Sequence, residues 1–323
     1  MQFINIQDMS AAIIANRKKL PSKIDLIVGI PRSGMLPATM LATQLNLPLT
    51  DLDGLISGKV FGYGATKDAP DVDKAMSDAR TVLVIDDTVG SGRAFKKARA
   101  ALEGVPGNIV FCSVYSQIAK HPDVDVVLET NSLSPICQWN MMHHAVLKNA
   151  CVDIDGVLCR NPEAHEDDNG KAYRKFLQTA EKLHATSGEI GWLVTSRRET
   201  YRAETEAWMR DNGVRYGKLI MTQTDEEHAN SPAFKARIYQ ETGADIFIES
   251  EAADAAEIQR ISERPVLCVA TQSMIYDGTA PLAFRHAQKA TGASATLAKL
   301  KLQARRLAGD KVYYAVKSLA GRG

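Results

Sequence analysis

The stretch that most constrains the fold is Val82-Leu-Val-Ile-Asp-Asp-Thr-Val-Gly-Ser-Gly-Arg93. Four apolar, mostly β-branched residues, Val82 to Ile85, predict a buried strand of a parallel sheet. Two acids, Asp86 and Asp87, stand at its C-terminal end. The short turn Thr88 to Gly92 follows, and Arg93 to Leu102 reads as a helix. Strand, small-residue turn and helix together make a phosphate cradle. Glycines let the backbone come close, and the unpaired N–H groups of the first helical turn face the anion. Adjacent acids cannot bind phosphate, but they accept hydrogen bonds from a pair of vicinal hydroxyls. A site with both parts fits a ribose 5-phosphate. The bland alternative is an ordinary strand-to-helix turn with an Asp cap.

The pattern resembles the phosphoribosyl-pyrophosphate (PRPP) motif of type I phosphoribosyltransferases. That resemblance implies that Asp86 and Asp87 hold the ribose hydroxyls, and that Thr88, Gly90, Ser91 and Gly92 hold the 5′-phosphate. Ala94 departs from the pattern, where many members carry Thr or Ser. Upstream, Ile24 to Ile30 reads as a strand, Pro31-Arg-Ser-Gly34 as a loop and Met35 to Leu45 as a helix. The family's corresponding loop contacts pyrophosphate, a role that Arg32, Ser33 and Gly34 match. Asp53 to Ala79 has many Gly and Asp residues and little periodicity, as a long functional loop would. The family closes a mobile loop here over PRPP, which makes Lys59, Tyr63 and Lys67 contact candidates. Closure matters because water would capture a ribosyl cation.

Other elements follow in order. Met9 to Leu20 predicts an amphipathic helix with Ile13 and Ile14 toward the core. Leu47 to Thr50, Asn108 to Tyr115 and Val124 to Glu129 predict strands. Thr130 to Leu147 stands where phosphoribosyltransferases carry a variable hood over the acceptor. Trp139, Asn140, His143 and His144 are the acceptor candidates, each histidine having a structural role as its alternative.

A second site begins at Ala150-Cys-Val-Asp-Ile-Asp-Gly-Val-Leu158. Two acids one residue apart at a strand end can point into one crevice. The stretch resembles motif I of haloacid-dehalogenase-like (HAD) phosphatases. By that resemblance Asp153 is the nucleophile that forms an aspartyl-phosphate, and Asp155 is the acid and base. Mg²⁺ is the implied cofactor, held by Asp153, the Asp155 carbonyl and a later acid. Thr195 ends the strand Gly191 to Thr195 and matches the phosphoryl-holding hydroxyl, with the basic loop Ser196 to Arg198 after it. Lys235, opening a helix at Ala233, matches the charge-offsetting lysine, and Lys218 competes with it. Glu249 ends the strand Asp245 to Glu249 and matches the metal ligand. Ser250 stands where many members have a second acid, and Asp254 is the replacement candidate. About 40 residues separate Asp155 from Thr195, with one helix expected over Ala172 to Leu183. That is too short for a large cap, and an open site admits a bulky substrate.

The expected fold class is therefore α/β in two domains with a tail. Residues 1–147 make the type I phosphoribosyltransferase-like parallel sheet. Residues 148–275 make the HAD-like Rossmannoid domain with a small cap, Arg264 to Ala270 as its last strand. Residues 276–323 make a basic tail, helical over Leu297 to Ala308. From Arg285 onward there are nine Lys or Arg and one acid, while the rest carries 30 basic and 37 acidic residues. Such a tail suits an anionic membrane face or packing on a domain. Five cysteines without a C-x-x-C pair read as reduced thiols of a cytosolic protein. No signal peptide, no span of about 18 apolar residues and no nucleic-acid motif is evident. A homo-oligomer is compatible with this sequence.

The pairing resembles the dual-domain ribofuranosyltransferases of bacterial surface-polysaccharide synthesis. It implies phosphoribosyl transfer from PRPP to a glycan with release of pyrophosphate, β-linked by attack opposite to it, and then loss of the 5-phosphate. The alternatives are an orotate- or purine-like base as acceptor, or a regulatory PRPP-binding module fused to a phosphatase.

Overall fold

The computed structural model describes residues 2–62, 72–75, 77, 80–131 and 135–276. Two compact units divide the chain, Met1–Trp139 and Asn140–Gly323. Tyr63, Lys67 and the basic tail beyond 276 lie outside the described residues.

In the first unit the elements run β1 (Gln2–Ile4), α1 (Ile6–Asn16), β2 (Leu26–Gly29), α2 (Met35–Leu45), β3 (Leu49–Asp51) and α3 (Leu52–Ser57). Then come α4 (Val72–Ala75), β4 (Thr81–Val89), α5 (Arg93–Ala101), β5 (Asn108–Ser116), β6 (Val126–Thr130) and β7 (Pro135–Cys137). Five strands form one parallel sheet in the order β3-β2-β4-β5-β6. Alternation on its strands feeds both faces. Ile27, Leu83 and Ile85 join α1 and α2 residues on one side. Leu26, Val28, Val82 and Val84 join Phe95 and Ala98 of α5 on the other. Burial on both faces is why these strands read as continuous apolar runs. The strand order reverses between β2 and β4, and in open α/β sheets the crevice at such a switch point is where ligands bind.

Several expectations change here. The first helix starts earlier, at Ile6, because Asn5 and Asp8 form a reciprocal capping box. It stops at Asn16, and Ile14 is 62% exposed while Ile13 is fully buried. The segment from Asp53 opens as a helix, α3, because Asp51 caps it through Gly54 N–H at 2.8 Å. β1 was not anticipated. It pairs in parallel with β7, Ile4 opposite Cys137, as a separate two-stranded sheet.

The second unit runs β8 (Ala150–Val152), α6 (Lys171–Thr179), β9 (Glu189–Arg198), α7 (Arg202–Asp211), β10 (Arg215–Thr222) and α8 (Asp225–Ala229). α9 (Ser231–Thr242), β11 (Ile246–Glu249), α10 (Ala252–Ser262), β12 (Val266–Cys268) and β13 (Ser273–Ile275) follow. Its sheet order is β10-β9-β8-β11-β12-β13, parallel except for the last pair. Here the order reverses between β8 and β11. β9 continues through Ser196 to Arg198, so the expected basic loop is strand. α6 ends at Thr179, three residues after Phe176 buries its ring. β13, the hairpin partner of β12, was also not anticipated. No described helix is long and apolar enough to cross a membrane.

Candidate active sites

At the first switch point, β2 leads into the loop Ile30 to Gly34 and β4 carries the acidic pair. The two meet at Gly34. A side chain there would stand 2.7 Å from the Ile85 carbonyl and 2.9 Å from Asp86 Oδ1, so only glycine lets the loop seat against the acids. The Pro31–Arg32 peptide is cis. Arg32 is exposed, Ser33 half-buried and Gly34 buried.

Asp86 and Asp87 are 7% and 3% exposed. Asp86 Oδ1 accepts only the Asp87 N–H, at 2.9 Å, among the hydrogen bonds of the described residues. Burial first, then the charge of Asp87, pushes the Asp86 carboxyl up to about 8. Asp87 is far better supplied. Its Oδ1 accepts Thr88 N–H at 2.7 Å and the Thr88 hydroxyl at 3.3 Å, and its Oδ2 accepts the Trp139 indole N–H at 2.6 Å.

The turn beyond is open. Gly90 and Ser91 are exposed, and α5 starts at Arg93 after Gly92, with no side-chain cap on its first-turn N–H groups. Those are the donors an anion needs. Gly92 has φ +72°, and a side chain there would stand 1.8 Å from Asp123 Oδ2. Thr88 lies in β4 and turns its hydroxyl to Asp87. Two residues that sequence reading missed brace the turn. His121 Nδ1 accepts Asp123 N–H at 3.2 Å, so its Nε2–H donates to the Gly90 carbonyl at 3.0 Å. They sit 31 and 33 residues beyond Gly90 with no periodic pattern, and only the fold brings them back.

The acceptor candidates separate. Trp139 joins the acidic pair of the first unit by its bond to Asp87. Asn140, His143 and His144 fall in the second unit. Asn140 Oδ1 is buried with no partner among the described residues. His143 is exposed, and His144 Nδ1 accepts Val146 N–H at 3.1 Å as a helix cap. Lys59 is exposed and its backbone ties off α3.

At the second switch point, Asp153 follows β8 and Glu249 ends β11. Lys235 Nζ, from α9, donates to Asp153 Oδ2 at 2.7 Å and to Glu249 Oε2 at 2.8 Å. All three are at most 4% exposed. Burial drives the Asp153 carboxyl well above its usual range, and the ammonium only partly offsets that. Burial works against the Lys235 charge too, but Asp153, then Glu249, outweigh it and hold its pKa above the usual value. Lys218, the competitor, is exposed on β10.

Asp155 is gripped by Arg197, which donates Nε to Oδ2 at 2.9 Å and Nη2 to Oδ1 at 2.7 Å. The Arg197 side chain is fully buried. Thr195 is also fully buried, its Oγ1 accepting Arg197 N–H at 3.2 Å. Ser250 packs on Gly156, where a side chain would stand 2.5 Å from its Cβ, and donates to Glu249 Oε1 at 3.3 Å. Asp254 lies in the first turn of α10, close enough for its charge to favour the Lys235 ammonium. Among the described residues no three His, Cys, Asp or Glu side chains converge as a metal set. The Asp153 and Glu249 carboxylates, bridged by Lys235, still suit Mg²⁺ by donor type, since it commonly takes one or two carboxylates and fills its shell with water and substrate oxygens.

Residues 2–141 match the family described as "Phosphoribosyl transferase domain". They are a type I phosphoribosyltransferase domain. This phosphoribosyltransferase domain covers less than half of the chain. A xanthine-guanine phosphoribosyltransferase of Roseobacter denitrificans is 30% identical over 109 residues, 32% of this chain and 59% of its own length. That of Cereibacter sphaeroides is 29% identical over 107 residues, again 32% and 59%. The chain thus spans under two thirds of these curated relatives. A solved purine phosphoribosyltransferase from Pyrococcus horikoshii is 19% identical, covering 43% of this chain and 95% of its own, with a TM-score of 0.30.

Proposed function

We propose that the chain transfers 5-phosphoribosyl from PRPP to an acceptor, releasing pyrophosphate, and that the second unit then removes the 5-phosphate. The carrying observation is the meeting of the Arg32-Ser33-Gly34 loop with Asp86 at the β2/β4 switch point. One crevice then offers backbone donors for pyrophosphate, acids for the ribose diol and the uncapped α5 turn for the 5′-phosphate. Departure of pyrophosphate from C1 leaves a ribosyl cation-like centre that the acceptor attacks from the opposite face.

In the second unit, Asp153 attacks phosphorus and Asp155, oriented by Arg197, serves the leaving oxygen and then water. The Thr195 hydroxyl holds the phosphoryl group and Lys235 offsets its charge. Asp153, the Asp155 carbonyl and Glu249, with Asp254 beside them, would hold Mg²⁺, which supplies charge neutralisation at the phosphoryl oxygens.

The acceptor we propose is a glycan hydroxyl, reached in part through a peripheral membrane position of the tail. A purine-like base is the second reading, favoured by the names of the two curated relatives. The test uses the Asp153→Asn protein with Mg²⁺, PRPP, and pools of nucleobases and synthetic glycans, read by mass. A glycan heavier by one phosphoribosyl unit, which loses phosphate when wild type is added, supports the reading. A nucleotide product replaces the glycan with a base. Absence of any product from either pool overturns transfer and leaves PRPP binding alone.

A further inference from the structure

We infer that Trp139 is a positioning residue of the ribose-holding pair, its indole N–H fixing the Asp87 carboxylate in the orientation that receives a ribose hydroxyl. The inference rests on the PRPP reading of the first unit. At 2.6 Å the Trp139–Asp87 bond is shorter than an ordinary N–H···O contact, as expected when the acceptor is ionised. Asp87 is 3% exposed, so water does not compete for it.

A carboxylate offers about four lone-pair sites. Thr88 occupies two on Oδ1, through its N–H and its hydroxyl, and Trp139 occupies one on Oδ2. The Asp86 carboxyl also hydrogen-bonds to the Asp87 side chain, and the direction left for a hydroxyl at Oδ2 follows from where Trp139 sits. An indole N–H only donates. Trp139 therefore moves no proton in the reaction, and its effect passes through Asp87.

The surrounding structure explains how a residue 52 positions away holds that geometry. β7 is locked to β1 in register, Pro135 opposite Gln2 and Cys137 opposite Ile4. Gln138 continues the clamp, its N–H donating to the Ile4 carbonyl at 2.8 Å and its side-chain oxygen accepting Ile6 N–H at 2.9 Å. The Trp139 ring then packs on the apolar layer that includes Ile85 and Tyr115. Ile4 of β1 and Cys137 of β7 are buried in that same layer, which anchors the two-stranded sheet against the five-stranded one and holds Trp139 beside the acidic pair.

The test measures PRPP and pyrophosphate affinities of wild type and Trp139→Phe by calorimetry. Phe keeps an aromatic ring and loses the donor. Loss of one hydrogen bond to a charged group should weaken PRPP about 10- to 100-fold. Pyrophosphate, which makes no use of the diol acids, should bind unchanged, whereas a general loosening of the unit would weaken both. In an Asp87→Asn background, Trp139→Phe should have no further effect on PRPP. Equal PRPP affinity for wild type and Trp139→Phe, or an undiminished effect without Asp87, overturns the inference. Wild type that fails to bind PRPP instead overturns the reading beneath it. If Phe prevents folding, benzothienylalanine at 139 repeats the comparison with the indole shape retained and the donor absent.

Discussion

Asp86→Asn should stabilise the first unit, and only above acidic pH. The Asp86 carboxyl sits near 8 in the folded chain against an ordinary 3.8, through burial first and Asp87 second. A raised acid pKa means the fold holds the proton that the unfolded chain releases. The resulting penalty is absent below about pH 4, grows as pH rises, and is complete above about pH 8. Each pKa unit is worth about 1.4 kcal/mol, so the ceiling is about 4 kcal/mol at pH 7 and about 6 above pH 8. Asn is neutral and nearly isosteric, and its oxygen can keep the Asp87 N–H bond. Its amide must find an acceptor, so we expect about 2–3 kcal/mol of net gain at pH 8.5, on the order of 5–10 °C in Tm for a unit of this size. Calorimetric melts of both proteins from pH 4 to pH 9 provide the assay. A constant gap across that range, or a less stable variant at pH 8.5, would refute the argument. The gain should come with loss of PRPP binding, as stabilising changes at a strained site usually do.

Lys235→Met leaves Asp153 and Glu249 buried without their cation, and should destabilise the second unit by about 3–5 kcal/mol and, on the proposed function, abolish phosphatase turnover, read by urea melts and p-nitrophenyl phosphate. Gly92→Ala forces a side chain into φ +72° and against Asp123, and should cost about 1–3 kcal/mol and weaken ribose 5-phosphate binding, measured by melts and calorimetry. Arg197→Lys replaces a fork by a point charge at Asp155, and should lower phosphatase kcat about 10- to 100-fold with KM little changed.

Most strands of both sheets were legible because parallel strands buried on two faces are written as unbroken apolar runs, as in Val82 to Ile85, whereas the edge strand β10, partly exposed, carries no such run and was not anticipated. Asp86, Asp87, Asp153 and Glu249 were legible because each sits at the end of such a run. What was not legible depends on contacts distant in sequence. β1 is three residues long and gains its identity only from β7. Ile13 and Ile14 are chemically alike, and the packing of α1, not composition, decides which is buried. Trp139 carries an aromatic ring that suits an acceptor platform, and nothing local to it announces an aspartate 52 residues earlier. Arg197 and Arg198 look interchangeable in sequence, yet strand alternation turns Arg197 inward to Asp155 and leaves Arg198 on Asp225 near the surface.

Both units crowd acids at a switch point, and they relieve the repulsion in different ways. Asp87 is held by three neutral donors while Asp86 keeps a proton near neutrality. Asp153 and Glu249 share the Lys235 ammonium. On the proposed function, the difference matches what each site would receive. A ribose diol is neutral, so an acidic pair of reduced charge can accept and donate hydrogen bonds to it without a fixed cation. A phosphoryl group brings its own negative charge, which two bare carboxylates would repel by several kcal/mol at 4 Å even at an effective dielectric of about 20. A lysine already seated between them removes that barrier before the substrate arrives. On the proposed function, the donors around each pair separate a hydroxyl-binding site from a phosphoryl-binding one more sharply than the acids themselves do.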